Sequence, residues 1–156
     1  MSYSKLFISC FILLIGCDSA TDPKSDYPET QKVVTLNGMS YTLTILKTEY
    51  TITDSLSLVY QVSNKSDSTK VFWFSNQQQY GFELTDSKDS IITSFPRIVQ
   101  PAPSTLTIQL SSVKEFKTTA PLKNIYGNYF VTGSYRLSLF LLDNNSPKVS
   151  LQIRIK

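Results

Sequence analysis

From Lys32 onward, apolar side chains return at every second position in one short run after another. Leu56, Leu58, Tyr60 and Val62 alternate with Ser57, Val59, Gln61 and Ser63. Tyr80, Phe82 and Leu84 repeat the pattern, as do Leu106, Ile108 and Leu110. So do Tyr135, Leu137, Leu139 and Leu141, and finally Val149, Leu151, Ile153 and Ile155. A period of two puts one set of side chains on each face of a pleated strand, so these runs predict strands with one buried face. No stretch carries the 3.6-residue apolar period that a helical layer requires.

Turn chemistry separates the runs. Asn37-Gly38 lies between two of them, and a tight type I′ hairpin turn needs positive φ at both central positions. Residues 64–68 (NKSDS) and 85–89 (TDSKD) are rich in side chains that bond their own backbone. Val71 to Phe74 is a strand, and Ile91-Ile92 starts a short one that Pro96 should end. Pro101 and Pro103 mark an exposed crossing segment. Residues 111–133 are the least regular, with an extended edge near 115–119 and a loop at 124–128. The expected architecture is all-β: an immunoglobulin-like antiparallel β-sandwich of about eight or nine strands.

The amino terminus is built differently. One cation, Lys5, precedes the apolar run LFISCFILLI, which is long enough for the core of a signal peptide and too short to span a bilayer. The run ends in Leu14-Ile15-Gly16-Cys17, which resembles the lipobox of bacterial lipoproteins. That resemblance implies cleavage after residue 16, lipidation of the Cys17 thiol, and a chain held in the cell envelope, with inner and outer membrane both open. Two or three acyl chains hold a protein on a bilayer stably where one does not. The polar stretch DSATDPKSDYPET has too little apolar surface to fold and reads as a tether. The expected division is therefore a signal peptide at 1–16, lipidated Cys17 and tether at 17–31, and the sandwich at 32–156.

Composition then narrows the function. The chain has no His, which removes the commonest general base and the commonest transition-metal ligand together. Its two Cys, Cys10 and Cys17, both precede the domain, so no disulfide is expected there. The 15 basic residues exceed the 12 acidic ones only slightly and are scattered singly, so nucleic acid is not an expected partner. Asp86 and Asp89, with Glu83 nearby, are better explained as turn formers than as a catalytic carboxylate pair. No ligand pattern for calcium is present, and neither metal nor cofactor is expected beyond the lipid. The chain is expected to bind rather than to catalyse.

The segment LSLVYQVSNKSDSTKVFWFSNQQQYGFELTDSKDSII, Leu56 to Ile92, resembles the BsuPI-type intracellular proteinase inhibitor domain. Asn64, Ser66 and Asp67 match that family's first turn, Phe72 and Phe74 its aromatic strand, and Ser75 and Gln77 the corner that follows. Tyr80 and Phe82 match the next strand, with Gly81 where the family usually has Asp; Gly133-Ser134-Tyr135 is similar to a later Gly-x-Tyr. The resemblance implies an immunoglobulin-like fold and contact with another protein, a protease being the family's target.

The candidate contact residues follow from exposure in such a fold. If Phe72 and Phe74 face the core, Trp73 points the other way. It is then either an anchor, together with Tyr80, for a protein or a sugar, or a side chain half covered by a loop. Asn76, Gln77, Gln78 and Gln79 form either an adaptable hydrogen-bonding loop or a plain turn. Arg97 and Ile98, within FPRIVQPAP, sit either on an extended segment offered to a protease cleft or on a crossover between sheets. The favoured expectation is an envelope-anchored protein-binding, protease-inhibitor-like module. The alternative is a structural or assembly subunit of an envelope complex that uses a free sheet edge.

Overall fold

The computed structural model describes residues 29–96, 101–124 and 126–156. Cys17, with the signal peptide, most of the tether, Arg97 and Ile98, lies outside the described residues. What is described is all strand and turn, an immunoglobulin-like β-sandwich.

One sheet holds β1 (Gln31–Leu36), β2 (Met39–Ile45), β4 (Ser55–Asn64) and β9 (Val113–Pro121), in the order β1-β2-β4-β9. The second holds β3 (Glu49–Tyr50), β6 (Tyr80–Thr85), β7 (Ile91–Phe95), β10 (Gly133–Leu141) and β11 (Val149–Ile155), in the order β3-β11-β10-β6-β7. A third piece is a two-stranded ribbon of β5 (Lys70–Asn76) and β8 (Pro101–Ile108). All pairings are antiparallel except β3 on β11.

The alternation read from the sequence is the alternation of burial. Met39, Tyr41, Leu43 and Ile45 of β2 are buried while Ser40, Thr42 and Thr44 between them are not. Tyr60 and Val62 meet Leu84, Leu137, Leu139, Val149 and Leu151 in one apolar core, to which the ribbon adds Phe74, Leu106 and Ile108. Tyr80 of the second sheet reaches Phe116 of the first, with ring centroids 4.8 Å apart.

The strands number eleven among the described residues, above the eight or nine expected. The two-residue β3 is too short to show any alternation. Pro101 and Pro103 are not in a crossing loop but inside β8. Proline is tolerated there because β8 bonds to β5 on one side only, so the missing N–H groups need no ladder partner on the other. Leu110, expected to continue the buried face of that run, falls after the strand ends and is exposed.

The hairpin is as read: Asn37 and Gly38 both have positive φ, at 51° and 75°. Gly81 has a tertiary reason. A Cβ built there would lie 2.7 Å from the Phe95 carbonyl oxygen of the neighbouring strand, so only glycine lets β7 approach.

Both connections between the sheets at one end of the sandwich are short. Residues 46–54 carry the chain from β2 through β3 to β4, and residues 122–132 carry it from β9 to β10. The chain enters β1 at this same end, where the Ile45 amide donates to the Thr30 carbonyl. The opposite end carries the Asn37-Gly38 turn, the 65–69 turn and the 109–112 turn.

Candidate functional site

The ribbon presents its two faces very differently. Phe72, Phe74, Leu106 and Ile108 turn inward, so the period of two forces Val71, Trp73 and Ser75 outward. Thr105 stands opposite Trp73, and Thr107 opposite Val71, both also exposed. Trp73 is 75% exposed and Val71 50%, so no loop covers the indole. Trp73 and Val71 thus form an exposed apolar patch on a strand whose other face is fixed in the core.

The neighbouring residues do not extend this surface in the way the sequence suggested. Asn76 is not in a loop: it closes β5 after a bulge and is buried, and its carbonyl accepts from Ser104 Oγ at 2.8 Å. Gln78 donates from Nε2 to the Tyr80 carbonyl at 3.0 Å, and Gln79 from Nε2 to the Thr105 carbonyl at 3.2 Å. The Leu142 amide in turn donates to the Gln79 carbonyl at 2.9 Å. The connection therefore straps the ribbon to the second sheet, and of these four residues only Gln77 is exposed. Tyr80 is no partner anchor for Trp73: its half-buried ring packs between Phe95, at 5.8 Å, and Phe116.

The carboxylates near the 86–89 turn each have local work. Asp86 Oδ1 accepts from the Lys88 and Ser90 amides at 2.8 and 2.9 Å, and these bonds hold its pKa below the usual carboxylate value. Glu83 pairs with Lys148 at 2.6 Å, and Asp89, at positive φ, pairs with Arg136. Among the described residues no group of three or more His, Cys, Asp or Glu side chains is placed to hold a metal ion.

Two features have no counterpart in the sequence reading. The first is a cleft of about 470 Å³ between β7 and β9, floored by Leu56, Phe82 and Phe95 and rimmed by Thr118, Pro121 and Lys123. Both flanking strands lie at the edge of their sheets. No alternation could announce this cleft, because it is made by two strands distant in the chain.

The second is the β9–β10 connection. Leu122 and Phe130 are buried roots, and the Phe130 amide donates to the Leu122 carbonyl at 3.2 Å. Asn124 Oδ1 accepts from the Tyr126 and Asn128 amides at 2.9 and 3.0 Å, and Gly127 takes a φ of 84°. Tyr126 and Tyr129, beside these bonds, are both exposed. Two tyrosines bracketing Gly127-Asn128, in a stretch without alternation, were the available signal.

No protein-family model matches the sequence, and the comparison with curated proteins gives no match. Among solved structures, the chain is similar to the alkylpurine DNA glycosylase AlkC of Pseudomonas fluorescens bound to DNA containing an abasic site analogue. That likeness has a TM-score of 0.47 and 6% identity, covering 81% of this chain and 30% of the glycosylase. A β-glucosidase of Listeria innocua in complex with isofagomine also matches at TM-score 0.47, with 12% identity, over 75% of this chain and 16% of the enzyme. The CARDB domain of a Pyrococcus furiosus protein, in complex with di-metal ions, matches at TM-score 0.43 and 8% identity, over 89% of this chain and 97% of that domain. This chain thus spans less than a third of the length of either enzyme. Likeness at this level assigns neither a family nor an activity.

Proposed function

We propose that this chain is an envelope-anchored lipoprotein whose sandwich, of the BsuPI proteinase-inhibitor type, binds another protein through the outer face of the β5–β8 ribbon. The observation that carries the reading is Trp73, 75% exposed on a strand fixed by its buried face. Large rigid aromatics concentrate binding energy because their area is buried at little entropic cost. Val71, Thr105 and Gln77 supply the surrounding contacts, and lipidated Cys17 holds the module at the membrane. The reading requires no catalysis.

The test is titration of the protein against a panel of serine proteases that includes subtilisin-like ones. Stoichiometric inhibition that weakens at least tenfold in Trp73→Ala supports both the binding face and the inhibitor class. Inhibition indifferent to Trp73→Ala removes the face, and no inhibition across the panel removes the class. Metabolic labelling with a palmitate analogue tests the anchor separately, since Cys17→Ala should abolish it.

The cleft between β7 and β9 favours a second reading, an assembly subunit that accepts a strand from a partner. Unpaired edges on both sides of an apolar cleft are what strand addition uses. A photo-crosslinker at Thr119, rather than at Trp73, capturing a single envelope protein in the native cell favours this reading over the first.

A further inference from the structure

At the end of the sandwich where the chain enters β1, an unusual share of apolar surface is left open. Leu46 is 80% exposed, Tyr126 82% and Val131 75%, with Ile52 and Tyr129 also exposed. All five sit in the two connections between the sheets, and none is a fraying tip. Tyr129 is held in a bridge to Lys123, and the Tyr135 hydroxyl donates to the Val131 carbonyl at 2.8 Å. The surface is therefore preorganised and exposed at once, the mark of a contact face.

Its charges are mixed: lysines and carboxylates pair at the rim, and the 86–90 turn at the same end adds Asp86 and Lys88, with Asp89 paired to Arg136. Lys47 pairs with Asp54 at 2.7 Å, and Lys156 with Glu49. The Lys123 ammonium lies 4.6 Å from the centroid of the Tyr129 ring and has no carboxylate within ion-pair distance among the described residues. Exposed tyrosines and aliphatics mixed with lysine suit the headgroup level of a bilayer: the rings take the apolar boundary and the ammonium the phosphates.

Geometry decides which end meets the membrane. The 13 residues from Cys17 to Glu29 reach at most about 45 Å even when drawn straight. The ten residues of β4 run the length of the sandwich, about 33 Å. The far end can touch the bilayer only with the tether drawn along the domain to about three-quarters of its full reach, whereas the near end meets it without stretching. Exposed apolar residues at the far end, such as Leu110 and Val113, lack both this proximity and the aromatic loop.

We propose that this end is a membrane-docking face: Tyr126, Tyr129, Val131 and Leu46 seat at the headgroup level of an anionic lipid surface, with Lys123 on the phosphates. The inference rests on the anchored-lipoprotein reading above, and it turns a tethered domain into one of fixed orientation, with the ribbon held away from the lipid.

The test uses the full lipidated chain in phosphatidylethanolamine/phosphatidylglycerol vesicles, with brominated lipid as quencher. Trp73 is the only tryptophan, so Trp73→Phe combined with Tyr126→Trp moves the reporter to the loop. The expected result is blue-shifted emission quenched roughly twofold or more by bromine near the headgroup, while Trp73 in the unmodified protein stays unquenched. Adding Lys123→Glu and Val131→Asp to the reporter variant should abolish quenching yet leave the protein floating with the vesicles. An unquenched loop reporter on floating protein overturns the docking face and leaves the anchor standing, as does quenching that survives those two changes. Quenching of Trp73 overturns the orientation. Protein that does not float overturns the anchor and the docking face together.

Discussion

Asn64 is wholly buried, and its carboxamide is bonded at both ends. Nδ2 donates to the Ser68 carbonyl at 2.8 Å and to the Ile108 carbonyl at 3.0 Å, while Oδ1 accepts from the Ser66 amide and hydroxyl at 3.0 and 2.7 Å. Its type was legible as a turn former; its reach across to the end of β8 was not, because Ile108 is 44 residues away. Asn64→Ala loses the buried bond to the Ile108 carbonyl and the acceptor for Ser66, and should cost about 1–3 kcal/mol, read by urea denaturation. Asn64→Asp should be no better, since it loses both donors and buries a charge. Trp73→Ala should behave in the opposite way. The side chain packs on little, so stability should change by under about 0.5 kcal/mol while partner binding falls.

Elements were legible wherever both alternation and a turn signal were present. The β1–β2 hairpin is the clearest case, and its register, Leu36 against Met39, follows from the two-residue turn. Gly38→Ala should cost more than the usual glycine-to-alanine change: its φ is 75°, and the new Cβ would sit 2.8 Å from Ser66 Cβ. About 1–3 kcal/mol of destabilisation is expected in thermal or chemical melts. Gly81→Ala should cost a similar amount for another reason, the Phe95 carbonyl oxygen of β7, which is backbone and cannot swing aside. β8 was misread because its two prolines are ordinarily strand breakers, and only the free outer edge of a two-stranded ribbon tolerates them. The 76–80 connection was misread because the Gln78 and Gln79 carboxamides donate to backbone carbonyls and the Gln79 carbonyl accepts from the Leu142 amide.

At the scale of the molecule, the titrating groups lie at the two extremes of pH. No His is present. Lys47, with the Thr51 amide, holds the Asp54 carboxylate below its ordinary pKa, as backbone amides hold that of Asp86; Lys156 and Lys117 do the same for Glu49 and Glu115. A folded pKa below the unfolded one gives stability that is present above the unfolded value, near 4, and lost as pH falls through the folded one. Burial pushes the phenols of Tyr41, Tyr50, Tyr60 and Tyr135 up. A raised folded pKa gives stability that is complete below the unfolded value, near 10, and lost as pH rises beyond it. Denaturation midpoints should therefore be flat from about pH 5 to 9 and fall on both sides. Asp86→Asn should make the acid limb shallower. A fall in stability centred near pH 6.5 would contradict this account, since nothing in the domain titrates there in the ordinary way.

The sequence by itself determined the class of fold, the inward set of side chains on most strands, the hairpin, and the side of β5 on which Trp73 stands. Each of these is set by neighbours one or two residues apart, through the pleat and the turn. Tertiary structure alone decided the burial of Asn76 and Tyr80, the cleft between β7 and β9, the glycine at residue 81 and the clustering of apolar loops at one end. Those depend on which edges come together, and residues far apart in the chain meet there only after the two sheets have packed.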